Sequence, residues 1–183
     1  METMSLMDVG SFTVEDLAIY REKWQDMTVQ LLDGELVVSP SPAYMHQLVV
    51  SRLFSLVDRA APPGLVIIPA PMDLRAGERS VLQPDLMVLD ESMRFDGEVL
   101  VPPVLAIEVL SPSSQRTDLV RKPEILARFG CKHYWVVDPV RPAIRSLQFV
   151  GDMDSIVQTV EDDDLFAAAE PFPVSCRPAD LVR

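Results

Sequence analysis

The sequence has few cysteines and no long apolar run. Its two cysteines, Cys131 and Cys176, form no C-x-x-C pair and predict reduced thiols rather than a disulfide framework. The two histidines lie far apart, which argues against a zinc site built from cysteine and histidine. Because there is neither an apolar stretch of about 18 residues nor a basic region leading into one, we expect a cytoplasmic protein without a membrane span or signal peptide.

Two common catalytic devices are also missing from the sequence. No glycine-rich loop is present to cradle phosphates, which argues against the use of nucleoside triphosphates. Ser111, Ser113 and Ser114 lack both a nucleophile-elbow motif and a nearby histidine, so a serine hydrolase is not expected.

Basic residues are scarce, and most of the chain is acidic. The net charge of −12 argues against a protein coated in basic surface for nucleic acid. Positive charge is concentrated in residues 116–145, where seven basic and three acidic residues give a local charge of +4. This segment either faces a polyanion or forms the solvated faces of one helix and its flanking turns.

The apolar pattern predicts a mixed α/β fold with a central sheet flanked by helices, in a single domain over residues 1–183. A capping-box pattern predicts an N-terminal helix over 13–24, and Asp33-Gly34 predicts a β-hairpin after it. Helical spacing predicts helices over 43–60 and over about 117–129. The first of these has a predicted buried stripe of Leu48, Val49, Leu53, Leu56 and Val57. Strands are predicted at LVIIP, QPDLMVLD, PVLAIEVL and HYWVVD, with AIRSLQFV and SIVQTV as an edge hairpin.

One predicted strand contains a carboxylate in an otherwise apolar run. Glu108 lies in LAIEVL, where a buried charge is costly unless another group compensates it. Asp85 begins an earlier predicted strand, and if the two strands are neighbours the two carboxylates converge. Converging carboxylates repel each other unless a cation lies between them. Their oxygen atoms suit hard ions, so we expect Mg²⁺ or Mn²⁺ at this position.

An ordered set of motifs resembles the Uma2 family of the restriction-endonuclease-like, PD-(D/E)xK superfamily. The motifs are LLDGELVVSPSP at 31–42, QPD at 83–85, EVLSPSS at 108–114, RKPEILARFG at 121–130 and YWVVDP at 134–139. The resemblance covers about residues 28–150. It implies a restriction-endonuclease-like core, preceded by the N-terminal helix and containing the hairpin.

The resemblance also implies a metal-dependent phosphodiesterase site. Asp85 and Glu108 would hold the ion, with the backbone carbonyl of Val109 as a third ligand, and a lysine would stabilise the developing charge. The superfamily pattern places that lysine two residues after the acid, where this chain has Leu110. We expect Lys122, in the first turn of the following helix, to take its place. Arg121 is the second choice, although a guanidinium is a clamp rather than a proton-handling group.

Several other residues are candidates for the same site, each with a structural alternative. Glu35 either points inward from the hairpin to bind an ion or orient a water, or it is an exposed turn carboxylate. Gln83 either lines the pocket or ends a strand. His46 either hydrogen-bonds the substrate or Glu35, or it is a packing residue. The basic residues expected to contact phosphates are Arg116, Arg121, Lys122 and Arg128.

The expected function is therefore a Mg²⁺- or Mn²⁺-dependent endonuclease that hydrolyses phosphodiester bonds in DNA as a homodimer. A catalytically inactive relative that binds nucleic acid or a protein partner is the alternative. It would be supported if Lys122 were buried away from the carboxylates. A third interpretation is a hydrolase of small phosphodiesters or nucleotides, which a pocket closed to a duplex would favour.

Overall fold

The computed structural model describes residues 11–93, 97–112, 114–150 and 153–183, which form a mixed α/β fold. The helices are α1 (Val14–Lys23), α2 (Tyr44–Ala60) and α3 (Lys122–Phe129). The strands are β1 (Thr28–Leu32), β2 (Glu35–Ser39), β3 (Leu65–Pro69), β4 (Leu74–Arg75), β5 (Val81–Leu82), β6 (Leu86–Asp90), β7 (Leu105–Val109), β8 (His133–Asp138), β9 (Ala143–Val150), β10 (Met153–Glu161), β11 (Phe166–Ala168) and β12 (Val174–Cys176). Within these ranges, no helix is long and apolar enough to cross a membrane.

The N-terminal helix and hairpin form where the sequence predicts them. Asp16 accepts a hydrogen bond of 2.9 Å from the backbone N–H of Thr13, which caps α1. Strands β1 and β2 pair in antiparallel fashion across a turn in which Asp33 has φ 50° and Gly34 has φ 81°. Both angles suit the tight turn that Asp-Gly favours in a hairpin. The predicted mixed α/β fold, with its N-terminal helix and hairpin, is confirmed.

Replacing Gly34 with alanine is expected to lower the free energy of unfolding by about 1–2 kcal/mol. An L-residue is strained at φ 81°, and a Cβ atom would lie 2.4 Å from the Arg79 guanidinium, which would have to move. Urea denaturation measures the change. Gly64→Ala is the matched control, since it has a similarly positive φ but nothing within 4 Å of the added carbon. If the two variants lose the same stability, backbone strain alone explains the result and the Arg79 contact contributes nothing.

The central sheet brings the two predicted acidic strands together. Six strands are ordered β10-β9-β8-β7-β6-β3, with β7 and β8 parallel and all other neighbours antiparallel. In the pairing of β6 with β7, Leu86 lies opposite Ile107. Asp85 and Glu108 therefore lie at the same end of neighbouring strands. A smaller sheet, ordered β2-β1-β5-β4, packs beside the central one.

Side chains of β7 alternate between two hydrophobic clusters. Ile107 and Val109 belong to the cluster that contains the buried side chains of α2, whereas Ala106 and Leu110 belong to the cluster that contains those of α3. By this alternation Glu108 shares the face that α3 covers. Glu108 therefore lies on the face of β7 that α3 covers, and Lys122 is the first residue of α3.

The predicted helix over 117–129 differs from the observed one in its first turn. Thr117–Arg121 forms a π-helical turn, in which the N–H of Lys122 bonds to the carbonyl of Thr117, and α3 follows. In this pattern the carbonyl of Asp118 would accept from residue 123, but Pro123 has no N–H to donate. The buried Tyr134 hydroxyl donates to that carbonyl instead, at 2.8 Å. A donor from a distant strand therefore stabilises a turn that local sequence does not predict.

Candidate active site

A cavity of about 390 Å³ lies between the two sheets, the N-terminus of α2 and the start of α3. Asp85, Glu108, Val109 and Lys122, which the sequence predicts as site residues, all line it. Gln83 and His46 also lie in the cavity wall, as do several loop residues.

The paired strands β6 and β7 fix Asp85, which immediately precedes β6, and Glu108, which lies within β7. Oδ2 of Asp85 accepts a 2.7 Å hydrogen bond from the backbone N–H of Val109, which holds the carboxylate against β7. Glu108 is 2% exposed and lies inside β7 itself. The two carboxylates therefore belong to one site, and Glu108 is far more shielded from solvent than Asp85.

Lys122 reaches back from α3 to the strand carboxylate. Its Nζ lies 2.6 Å from Oε1 of Glu108 and 3.0 Å from Oδ1 of Asp118, and all three side chains are 4% exposed or less. The Glu108 contact is a hydrogen bond, whereas Asp118 Oδ1 is close enough for an ion pair but lacks hydrogen-bond alignment. Leu110, where the superfamily pattern has its lysine, is a core residue of the cluster beneath α3. Lys122 on α3 therefore provides the ammonium that the superfamily pattern places at the position of Leu110.

The charges in the cavity are unbalanced. Burial raises the pKa of Glu108 well above its ordinary value, and the neighbouring Asp118 and Asp85 add to this effect while Lys122 opposes it. Burial alone would lower the pKa of Lys122, but the carboxylates of Asp118, Glu108 and Asp85 outweigh it and raise that pKa. Lys122 is therefore charged at neutral pH, and one ammonium faces three acidic groups.

His46 lies against Asp85 from the first turn of α2. Its Nε2 is 3.2 Å from Oδ2 of Asp85, the oxygen that also accepts from Val109. Burial alone would lower the pKa of His46, but the hydrogen bond and charge of Asp85 and the carbonyl of Val109 raise it overall. The second ring nitrogen, Nδ1, is shielded from solvent and has no hydrogen-bond partner among the described residues.

The donor set of the cavity fits a hard divalent ion with few protein ligands. In the part of the chain that the structure describes, no three acidic, histidine or cysteine side chains are grouped as a metal site. Mg²⁺ commonly binds through one or two carboxylates and keeps waters and substrate phosphates as its other ligands. Asp85 and Glu108, with the carbonyl of Val109, match that pattern. The excess negative charge would also favour a cation here.

The other predicted site residues do not line the cavity. Oε2 of Glu35 lies 3.0 Å from Nη1 of Arg121, and a second nitrogen of Arg121 donates to the carbonyl of Leu32. Arg128 pairs with Asp33 at 2.6 Å. Glu35, Arg121 and Arg128 thus tie α3 and the turn before it to the hairpin, and their catalytic or phosphate-binding roles stay predictions.

Two further residues on the predicted list lie at the margin of the site. Arg116 is exposed in the turn before Thr117, which itself lines the cavity. Gln83 lines the cavity and donates through its side chain to Oδ1 of Asp73, at 2.8 Å. Asp73 in turn accepts from both terminal nitrogens of Arg21, so this part of the wall is braced by α1.

Sequence reasoning did not assign Asp118 to the site. Its side chain is 2% exposed, lines the cavity and faces Lys122. The signal for it is the spacing of four residues between Asp118 and Lys122, which places an acid and a base on the same helix face. This pattern is common on solvated helices, so by itself it does not distinguish a buried pair.

Comparisons with known proteins identify the family and the fold of this chain. The Uma2 family, described as "Putative restriction endonuclease", matches residues 14–179. The crystal structure of "a putative nuclease belonging to DUF820" from Anabaena variabilis superposes with a TM-score of 0.68 and 18% sequence identity. The alignment covers 85% of this chain and 89% of that one. Among curated proteins, none matches this sequence. Since the family match spans nearly all of the described chain, the protein belongs to the Uma2 family of restriction-endonuclease-like proteins.

Proposed function

We propose that the protein is an endonuclease that hydrolyses phosphodiester bonds in DNA with Mg²⁺ or Mn²⁺. The observation that carries this proposal is the convergence of Asp85, Glu108 and Lys122 on one cavity. Two strand carboxylates and one lysine are the charged groups that the resemblance implies, although the lysine here comes from a helix. Membership of a family described as "Putative restriction endonuclease" supports the same reaction class.

In this proposal Asp85, Glu108 and the carbonyl of Val109 hold the ion. When bound, the ion would polarise the phosphate and lower the pKa of the attacking water. Asp85 is preset for this role because the N–H of Val109 fixes one of its oxygens. Glu108 is kept in place by Lys122, so both acids are positioned before substrate arrives.

Lys122 supplies positive charge near the reacting phosphate, and His46 positions Asp85. Lys122 is held by Glu108 and Asp118, and its ammonium offers electrostatic stabilisation to the developing negative charge. His46 lies 3.2 Å from Oδ2 of Asp85 through its Nε2, so it positions that carboxylate. The shielded cavity strengthens both interactions because it has a lower dielectric constant than water.

The placement of Lys122 argues against the catalytically inactive alternative. A protein that had kept the fold but lost turnover would not need to retain a buried lysine at 2.6 Å from the strand glutamate. Burying the charges of Lys122, Glu108 and Asp118 is costly, and an apolar cluster could stabilise the same fold without that cost. The predicted homodimer stays a prediction.

DNA cleavage with and without metal tests the proposed function. We expect the native protein to cut a mixture of single- and double-stranded DNA in Mg²⁺ or Mn²⁺, and not in EDTA. Asp85→Asn should reduce the rate by at least about 100-fold, because it removes a charged ligand and leaves the strands intact. The matched control is Asp90→Asn, at the exposed far end of the same strand. Cutting that persists in EDTA or in Asp85→Asn would contradict the proposal.

A further inference from the structure

The acidic groups of the site lie in a space too small for a base-paired duplex. The side chains of Glu108 and Lys122 are only 3% and 4% exposed, so a phosphate must enter the cavity to reach them. The cavity volume of about 390 Å³ lies in the range of roughly 300–1,000 Å³ for pockets that enclose one small organic ligand. A nucleotide extruded from a helix or taken from a single strand fits such a space, whereas stacked base pairs do not.

The neutral polar lining of the cavity suits the edge of a nucleobase. Thr28, Gln30, Gln47 and Gln83 line it and carry no charge. The side-chain oxygen of Gln30 accepts the backbone N–H of Gln83 at 2.8 Å, which leaves the amide N–H groups of Gln30 as donors. Uncharged amides and hydroxyls can pair with the donor and acceptor groups on the edge of a base.

The apolar part of the lining offers flat, rigid surfaces. Four prolines, Pro40, Pro42, Pro71 and Pro112, line the cavity from three separate loops. Each ring fixes the φ angle at its own position, which restricts the conformations open to these loops. A planar base can pack against such surfaces without a requirement for a particular sequence. The cavity therefore combines an acidic, cation-seeking end with a wall suited to a base and a sugar.

The cavity lacks the cations that a duplex binder needs. Specific binding of duplex DNA commonly neutralises several phosphates with lysine and arginine. Among the described cavity-lining residues, the basic side chains are Lys122 and His46, and both already face carboxylates. Arg121 is committed to Glu35. One nucleotide bound through a metal ion demands far less positive charge from the protein.

We propose that the protein takes a single unpaired nucleotide of DNA into this cavity and cuts at single-stranded or locally unpaired positions. The chemistry at the phosphate rests on the proposed nuclease function, but the choice of an unpaired nucleotide rests on the size, burial and lining of the cavity.

Three DNA substrates of one sequence test the proposal. They are a single strand of about 30 nucleotides, the fully paired duplex, and a duplex with a short unpaired loop at its centre. In Mn²⁺ we expect the single strand to be cut, the looped duplex to be cut at its loop, and the paired duplex to react at least about 100-fold more slowly. Binding is measured in parallel by fluorescence anisotropy in Ca²⁺, which should show the same preference. A paired duplex cut or bound as well as the single strand would overturn the proposal.

A narrowed cavity links the preference to this site. Ala43→Leu combined with Ala70→Leu adds bulk to two exposed positions of the wall without adding an aromatic surface. It should weaken binding of the single strand by about tenfold or more, whereas Ala18→Leu on exposed α1 should leave it unchanged. If no DNA is cut, the nuclease proposal fails and binding alone decides this one. The unpaired-nucleotide proposal is supported if the native protein prefers the single strand and the Ala43→Leu/Ala70→Leu variant loses that preference. It is refuted if the native protein binds both DNA forms equally or binds neither.

Discussion

Replacing Lys122 with methionine is expected to reduce DNA cleavage by at least about 100-fold and to lower the free energy of unfolding by about 3 kcal/mol. Methionine keeps much of the volume of the lysine stem but removes the ammonium that lies 2.6 Å from Glu108 and 3.0 Å from Asp118. The acidic groups of Glu108 and Asp118 would then share a buried space without the ammonium that faces both of them, which destabilises the fold.

The two expected effects can be measured separately. Urea denaturation gives the free energy of unfolding, and cleavage is assayed only under conditions in which the variant is folded. Lys132→Met is the matched control because Lys132 is exposed, and it should change neither quantity appreciably. A folded Lys122→Met variant that cuts at the native rate would make Lys122 a structural counter-ion and would remove it from the proposed mechanism.

Features that depend on a few neighbouring residues are predictable from this sequence. The turn at Asp33-Gly34 requires only residues that adopt positive φ, and the capping of α1 requires only the spacing of Thr13 and Asp16. The convergence of Asp85 and Glu108 depends on β6 and β7 being neighbours, which the residues alone leave conditional and the resemblance implies. The pairing of Leu86 with Ile107 meets that condition.

Features that depend on partners distant in sequence are less predictable. In the π-helical turn Pro123 cannot donate to the carbonyl of Asp118, and the hydroxyl of Tyr134, on β8, donates to it instead. The stripe predicted on α2 is correct for Val49, Leu53 and Val57, whereas Leu48 and Leu56 are only partly buried and Val50 is buried in their place.

The site was harder to predict than the fold because its outer residues are chosen by three-dimensional packing. Arg121 could reach either the carboxylates or the hairpin, and the ion pair with Glu35 places it at the hairpin. Asp118 has the spacing of an ordinary solvated helix pair, yet its side chain is buried beside Lys122. The sequence has the same charges and the same spacing whichever partner Arg121 takes and whether or not Asp118 is buried. Only the folded structure distinguishes these alternatives.

Replacing Glu108 with glutamine is expected to abolish detectable cleavage and, in metal-free protein, to raise the free energy of unfolding by on the order of 1 kcal/mol. Glutamine keeps the shape of the side chain and can still accept a hydrogen bond from Lys122. It removes one negative charge from a buried cluster, and Asp118 still pairs with the ammonium at 3.0 Å. This result contrasts with Lys122→Met, which makes the same cluster more negative.

The stability difference between the native protein and Glu108→Gln should grow as the pH rises. The pKa of Glu108 is raised in the folded protein, so the stability linked to this group is fully present below its unfolded pKa. It is lost as the pH increases through the higher folded pKa, whereas glutamine does not titrate. Urea denaturation in EDTA at several pH values measures the difference. Glu124→Gln, on the exposed face of α3, is the control and should show no such trend.

Divalent metal should reverse the order of stability. An ion that binds only the folded state stabilises it in proportion to the logarithm of its concentration above the dissociation constant. In the native protein that ion would also relieve the repulsion that destabilises Glu108, whereas the glutamine variant lacks the charged ligand. Thermal unfolding with increasing Mg²⁺ should therefore raise the midpoint of the native protein and leave that of Glu108→Gln nearly unchanged. Equal shifts in the two proteins would place the ion elsewhere and would remove Glu108 from the proposed ligands. A shift in the native protein alone would show that the Glu108 carboxylate destabilises the metal-free fold and that metal binding at this carboxylate removes the destabilisation.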